Sequence, residues 1–282
     1  MKKTLFLLGS IALSWCTMAQ VNTPALSPKA EIEQTVGLTE FELTYSRPSL
    51  RGRDMYKEII PVDKMWRFGA NKNSTLSFDT DVVFGGVDVK AGEYAIFAIP
   101  GEKEWTIFLY DDTNNWGVPK EWNDKKVVAK IGVESKKTPH TVETFTVAFE
   151  NLNIDKFDMT IAWGKTYLPI HIKLPTDKLT RESIKETMSS EEPTERDYYN
   201  AASYLLNVNA DLENALTYMN KAIEMNDNAP FYYIRKKALI LHANGENEKA
   251  ISTAKKSLEM AKAAGSEEYV RKNEKSIKEW SK

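Results

Sequence analysis

The stretch Tyr94–Leu109, YAIFAIPGEKEWTIFL, decides the fold. Its first six residues are apolar without a break, as in a strand covered on both faces. Pro100-Gly101 is turn chemistry. Trp105, Ile107 and Leu109 then alternate with Thr106 and Phe108, the period of a second strand. Two strands and a short turn imply an antiparallel pair, and the same grammar extends outward from Ile32 to Leu174. Phe41, Leu43 and Tyr45 alternate with Glu42 and Thr44. Phe145, Val147 and Phe149 repeat the pattern, as do Met159, Ile161 and Trp163, and then Leu168, Ile170 and Ile172. Gly85-Gly86, Ala91-Gly92 and Gly164-Lys165 punctuate these runs as turns. Many short strands with turn chemistry between them predict an antiparallel β-sandwich over residues 20–175.

Near Pro175 the period changes to that of helices. Leu179–Ser189 reads as a short helix, and Thr194-Glu195-Arg196-Asp197 as a capping box opening a helix over Tyr198–Val208. Asp211 stands where it can cap the next helix, whose stripe is Leu212, Ala215, Leu216, Met219, Ala222 and Ile223. Asn228-Ala229-Pro230 opens another, which Gly245 stops. Ala250, Ile251, Ala254, Leu258 and Ala261 form a further stripe, and Ser266 caps a last helix carrying Val270, Ile277 and Trp280. Glu213-Asn214-Ala215 and Glu248-Lys249-Ala250 match at an offset of 35 positions, as do Ala222 and Ser257. That offset is close to the ~34-residue tetratricopeptide period. Ala202 and Ala238 are the small residues where paired helices approach. The expectation is an α-helical tetratricopeptide-like hairpin array over 176–282, docked on the sandwich or on another protein because short arrays must bury their ends.

The first residues carry an address. Met1-Lys2-Lys3, the apolar run Leu5–Trp15 and Thr17-Met18-Ala19 form a signal peptide over residues 1–19, cleaved near Ala19, and the run is too short for a bilayer span. The expected location is periplasmic or secreted. A rival reading attaches lipid at Cys16, although Trp15 stands where such a site wants a small residue. Cys16 is the single cysteine of the chain. Cleavage at Ala19 removes it, and with it disulfides, thiolate metal sites and cysteine nucleophiles. The 282 residues, 42% hydrophobic, suffice for real cores. A net charge of −2 argues against a general nucleic-acid or membrane-surface role. No cofactor and no metal site is implied.

A set of motifs recurs in order: Ser27-Pro28-Lys29-Ala30, Tyr45-Ser46-Arg47-Pro48-Ser49, Arg51-Gly52-Arg53, Trp66-Arg67-Phe68-Gly69-Ala70-Asn71, Gly92-Glu93-Tyr94, Ile99-Pro100-Gly101-Glu102 and Asp112-Thr113-Asn114-Asn115-Trp116-Gly117. Through them the chain, over roughly Val21 to Leu174, resembles the bacterial family called domain of unknown function 2911. The resemblance implies an exported β-rich domain. It implies no activity, so no catalytic residue is carried over.

The segment Tyr45–Asn71 therefore has to be judged on its physics. Arg47 to Lys72 holds seven Lys/Arg and three Asp/Glu, a local net of +4. Arginine offers a planar five-donor fork that suits carboxylates and phosphates. Trp66 and Tyr56 offer flat faces for a sugar ring or a stacked guanidinium. One reading is an anion or glycan site built from Tyr45, Arg47, Arg51, Arg53, Trp66, Arg67 and Asn71. The other is a structural loop, with Arg47, Arg53 and Arg67 bonded to carbonyls or to Asp54, Asp111 and Asp112. Asp111, Asp112, Asn115 and Trp116 belong to a second candidate. That run lacks the ligand ladder of a calcium loop and reads as Asx turns with Trp116 packed beneath.

His140, His171 and His242 lie in different elements, with no HExxH, no G-x-S-x-G and no phosphate loop. The tail aromatics Tyr198, Tyr199, Tyr204, Phe231, Tyr232 and Tyr233 read as helix-pair core, or else as a peptide groove. Two functions stand, beside a purely structural role in envelope maintenance with no small ligand. The first is a non-catalytic binding or scaffolding protein of the envelope, its loop taking an anionic or carbohydrate-like ligand and its helices an envelope protein. The second is a periplasmic hydrolase of glycans or peptides, with Asp111 or Asp112 as acid/base and Arg67 stabilising charge.

Overall fold

The computed structural model describes residues 23–190 and 192–282. The expected signal peptide and the Cys16 alternative lie outside the described residues. The chain divides into two compact units, the first ending at Leu174 and the second beginning at Pro175.

The first unit is antiparallel throughout. One sheet has six strands in the order β1 (Lys29–Val36), β2 (Thr39–Ser46), β3 (Ser74–Phe78), β6 (Gly92–Ile99), β7 (Glu104–Tyr110) and β8 (Val127–Glu134). The other has four, in the order β5 (Val87–Val89), β4 (Val82–Phe84), β10 (Lys156–Lys173) and β9 (Lys136–Glu150). The alternating side chains of both sheets meet in one core. Phe41 packs on Phe149 and Phe157, and Tyr45 on Phe145, with edge-to-face rings. The uninterrupted apolar run of β6 has its reason on the outer face. There Phe97, with Phe108 and Tyr110 of β7, is covered by Trp122, stacked on Tyr110 at 4.5 Å. The loop after β7 thus supplies a lid that makes both faces of β6 and β7 dry.

Two turns behave differently from one another. Gly85-Gly86 joins β4 to β5 with φ of +55° and +94°, the mirror-image turn that a two-residue hairpin requires. Gly164-Lys165 is not a turn. β10 runs through it as a single strand, and Gly164, at φ +58°, sits between two register shifts against β9. From Ala162 to Thr166 β10 advances four residues while β9 passes nine, from Thr146 to Lys137, so the extra residues lie on β9 and Gly164 marks the strand opposite that bulged stretch.

The second unit consists of six helices, α1 (Thr176–Met188), α2 (Glu195–Asn207), α3 (Leu212–Glu224), α4 (Phe231–Ala243), α5 (Asn247–Ala263) and α6 (Glu267–Trp280). α2 packs on α3, α4 on α5, and α5 on α6. The residues matched by the 35-position offset, Ala215 with Ala250 and Ala222 with Ser257, are all fully buried, as are Ala202 and Ala238. Thr194 and Asp197 form the reciprocal capping box of α2. Asp211 and Ser266 stand at the cap positions of α3 and α6 but make no capping bond. Asp211 is in the left-handed region at φ +52°, and its carboxylate takes the Asn214 amide instead. The tail aromatics pack on one another, with Tyr199 stacked on Tyr233 at 4.1 Å. No helix among the described residues is long and apolar enough to cross a membrane.

Two substitutions check this reading by urea denaturation. Gly85→Ala is expected to cost about 1–3 kcal/mol, because an alanine there is strained at positive φ and its Cβ would stand 2.4 Å from the Ile131 Cδ1. Thr194→Ala is expected to cost about 1 kcal/mol through loss of the cap.

Candidate functional site

After β2 the chain leaves the six-stranded sheet and crosses to the other. The Leu50 N–H donates to the Glu143 carbonyl at 2.9 Å and the Phe145 N–H to the Pro48 carbonyl at 2.8 Å. β9 is the edge strand of its sheet, so its outward groups need partners. Two side chains complete the cover. The Tyr45 hydroxyl donates to the Val147 carbonyl at 3.2 Å and accepts from the Val147 N–H at 3.0 Å. Arg47 donates through Nε to the Phe145 carbonyl at 3.1 Å and through Nη2 to the Thr146 hydroxyl at 2.8 Å. Tyr45 and Arg47 are therefore staples between the sheets.

The chain then makes a five-residue π-helical turn, Met55–Ile59, whose first N–H groups the Asp54 carboxylate accepts at 3.0 Å. It returns at Trp66, which exchanges both main-chain bonds with Ala98, at 2.7 and 2.9 Å. Trp66 thereby occupies the place beside β6 that β3 takes further along. Its ring is 7% exposed, stacked on Trp163 and met edge-on by Trp105 and Phe145. The flat face expected to receive a sugar is covered by other rings. Tyr56 is committed as well, its hydroxyl accepting from the Trp105 Nε1–H and bonding the Thr166 hydroxyl.

Where the crossing segment closes on itself it leaves a cleft of about 830 Å³. Arg51, Arg53, Lys57 and Arg67 line it, against one carboxylate, Glu58, a net of +3. Trp66 and Trp163 lie beneath. Each guanidinium is oriented by main-chain carbonyls. Arg51 donates to Leu26 at 2.5 Å, Arg53 to Leu50 and Ser49 at 2.9 and 3.0 Å, and Arg67 to Asn71 at 3.1 Å. A neutral carbonyl positions the fork without cancelling its charge. Among the described residues none of the three forms an ion pair. With five N–H donors per guanidinium, about three or four on each remain uncommitted.

The loop Asp111–Gly117 adjoins this cleft without contributing a carboxylate to it. The Asp112 carboxylate is bonded to the Lys126 ammonium at 2.6 Å and takes the Asn114 N–H, and these bonds hold its pKa below the usual carboxylate range. The Asn115 amide turns back on the Asp112 carbonyl. Asn73, 3% exposed, clamps the loop: it exchanges bonds with Asn115 on one side of Trp116 and donates to the Gly117 carbonyl on the other. Gly117, at φ +101°, lies against Arg67, where a Cβ would stand 3.3 Å from the guanidinium carbon. Trp116, expected to be packed beneath, is 75% exposed. Its neighbours on both sides are tied to Asn73, and the indole is left outside.

Of the residues singled out in the sequence, Arg51, Arg53, Trp66, Arg67 and Asn71 line the cleft. Tyr45 and Arg47 seal β9, and Asp111, Asp112, Asn115 and Trp116 form the neighbouring loop. Lys57, Glu58, Met65, Val118 and Trp163 also line it, and the sequence analysis did not single them out. Lys57 and Glu58 lie within the basic run already noticed, whereas nothing local marks Trp163 of β10 as a neighbour of Trp66.

Fold and site together define an antiparallel two-sheet β domain with a basic cleft in its crossing segment, followed by paired helices. The chain belongs to the family described as Protein of unknown function (DUF2911), whose model matches residues 27–172. No curated protein and no solved structure matches it.

Arg47→Ala removes two bonds of a charged donor and is expected to cost about 2 kcal/mol in urea denaturation.

Proposed function

We propose that this is an exported, non-catalytic binding or scaffolding protein of the bacterial envelope, whose cleft takes an anionic ligand and whose paired helices contact another protein. The observation that carries the reading is the set of three guanidinium groups in one cleft, each aimed by a carbonyl and each with donors to spare. The main chain at Arg51, and at two residues that follow Arg67, is held in the left-handed region as well. Arg51, Phe68 and Asn71 have φ between +52° and +62°. Strain of this kind persists only where the surroundings over-determine it, and it clusters at binding sites. A preorganised fork gives up little entropy when a carboxylate or phosphate arrives.

The hydrolase reading draws no support from this arrangement, since Asp111 and Asp112 do not line the cleft and Asp112 is held by Lys126. The carbohydrate-like part of the ligand loses its platform with the covering of Trp66. Export is part of this proposal and is supported by the signal-peptide pattern read in residues 1–19.

Equilibrium titration with inorganic phosphate and with glycerol 3-phosphate tests the cleft. Binding is expected to weaken with added salt. It is expected to fall about tenfold or more in Arg67→Ala, the scale of one charge-assisted bond. An Arg51→Ala/Arg67→Ala protein that keeps its circular dichroism and its affinity would sink the reading. Export is checked by N-terminal sequencing of protein from the envelope fraction, which is expected to begin at Gln20.

A further inference from the structure

We infer that the cleft engages the phosphate headgroup of an anionic phospholipid at a bilayer surface, with Leu26, Val118 and Trp116 entering the headgroup region around it. This rests on the anion-binding reading above and specifies its ligand.

The β unit exposes six large apolar side chains among its described residues: Leu26, Leu38, Trp116, Val118, Leu152 and Ile154. Two of them line the cleft, and a third belongs to the loop beside it. Leu26, 72% exposed, and Val118, 39% exposed, are the two that line the cleft. Trp116 precedes Gly117, the residue that lies against the Arg67 guanidinium. Apolar side chains scattered singly need no explanation, but a group of them around a charged hollow marks an interaction site. A small soluble anion would use the guanidinium groups and leave the rim in water. An amphiphile uses both, the phosphate taking the arginine donors while the rim meets glycerol and upper acyl carbons.

The two halves of the site are mechanically joined. The Leu26 carbonyl holds Arg51, so the exposed leucine and its cation share one anchor. In the loop beside the cleft Asn73 fixes the main chain on both sides of Trp116, and Gly117 abuts Arg67. Tryptophan favours the interface between water and hydrocarbon. Charge complementarity favours anionic lipid for a cleft of net +3. The net charge of −4 that remains from Gln20 onward, −2 for the whole chain less Lys2 and Lys3, is no obstacle, because at physiological salt only charges within about 8 Å of the surface are felt. Each basic side chain near an anionic leaflet strengthens partitioning by roughly fivefold.

The test is flotation of the chain from Gln20 onward with vesicles of phosphatidylcholine, with and without phosphatidylglycerol, beside solution titration with glycerol 3-phosphate. Flotation with the anionic vesicles alone is expected, reduced about tenfold in Trp116→Ala and in Arg67→Ala. Trp116→Ala is expected to keep its affinity for glycerol 3-phosphate, since Trp116 does not line the cleft. The proposal is overturned if wild type stays at the bottom with anionic vesicles, or if Trp116→Ala floats as wild type does. In either case Arg67-dependent binding of glycerol 3-phosphate would leave the anion-binding reading standing, and its absence would remove both. Binding of a soluble acidic sugar that depends on Trp116, without flotation, would overturn the lipid in favour of a glycan.

Discussion

The crossing of the chain from one sheet to the other, between β2 and β3, is the constraint on which the rest of the first unit depends. A sandwich leaves an edge on each sheet, and here the segment that links the sheets is laid along one of those edges. Main-chain bonds at Pro48 and Leu50, the Tyr45 hydroxyl and the Arg47 guanidinium cover the outward face of β9 from Glu143 to Val147. The same segment then pairs with β6 at Trp66. Because both ends are fixed, what lies between them has little freedom, and side chains that would be mobile on an ordinary loop are set in place. The cleft is a consequence of that fixing.

Electrostatics follows from what does the holding. The Lys126 ammonium is matched to a carboxylate, as are Lys221, Lys249, Lys262 and Lys272 of the helices. In the cleft the guanidinium groups are held by carbonyl oxygens, which orient them and leave the positive charge intact. The acidic loop beside them does not neutralise Arg67, because Asp112 is bound to Lys126. A buried amide, Asn73, keeps that loop in place and Gly117 allows it to approach the guanidinium closely. The arrangement separates positive from negative charge at short range, as the proposed binding of an anion requires.

The helical unit shows how a repeat is ended. Ser257 stands where the preceding pair has Ala222. Its hydroxyl donates to the Phe231 carbonyl and accepts from the Asn273 amide, and Asn273 in turn accepts from Arg235. These bonds link α4, α5 and α6 through groups shielded from water, and they give the last helix a polar register that apolar packing alone would leave loose. The other repeat positions stay small and apolar because the helices approach closely there.

Much of this was legible in the chain. Alternation at Phe41, Leu43 and Tyr45 places one face of β2 in the core, the unbroken run at Tyr94 to Ile99 announces a strand dry on both sides, and Gly85-Gly86 can close only a tight hairpin. The offset between Ala215 and Ala250 reveals the helix pairs. Gly164 shows the limit, since a glycine inside an alternating pattern signals a turn and a position opposite a bulge alike, and only pairing with β9 separates them. Arginine and aromatic residues concentrated between Tyr45 and Asn71 marked the region of the cleft. Which of those arginines keep donors free was settled by neighbours distant in sequence: Phe145 takes Arg47, while Leu26, Leu50 and Asn71 carbonyls orient the rest. Local order fixes periodicity and turn chemistry because these depend on residues a few positions apart. The commitment of a hydrogen-bond donor depends on which strands the sheets bring together, and that was decided by the tertiary structure alone.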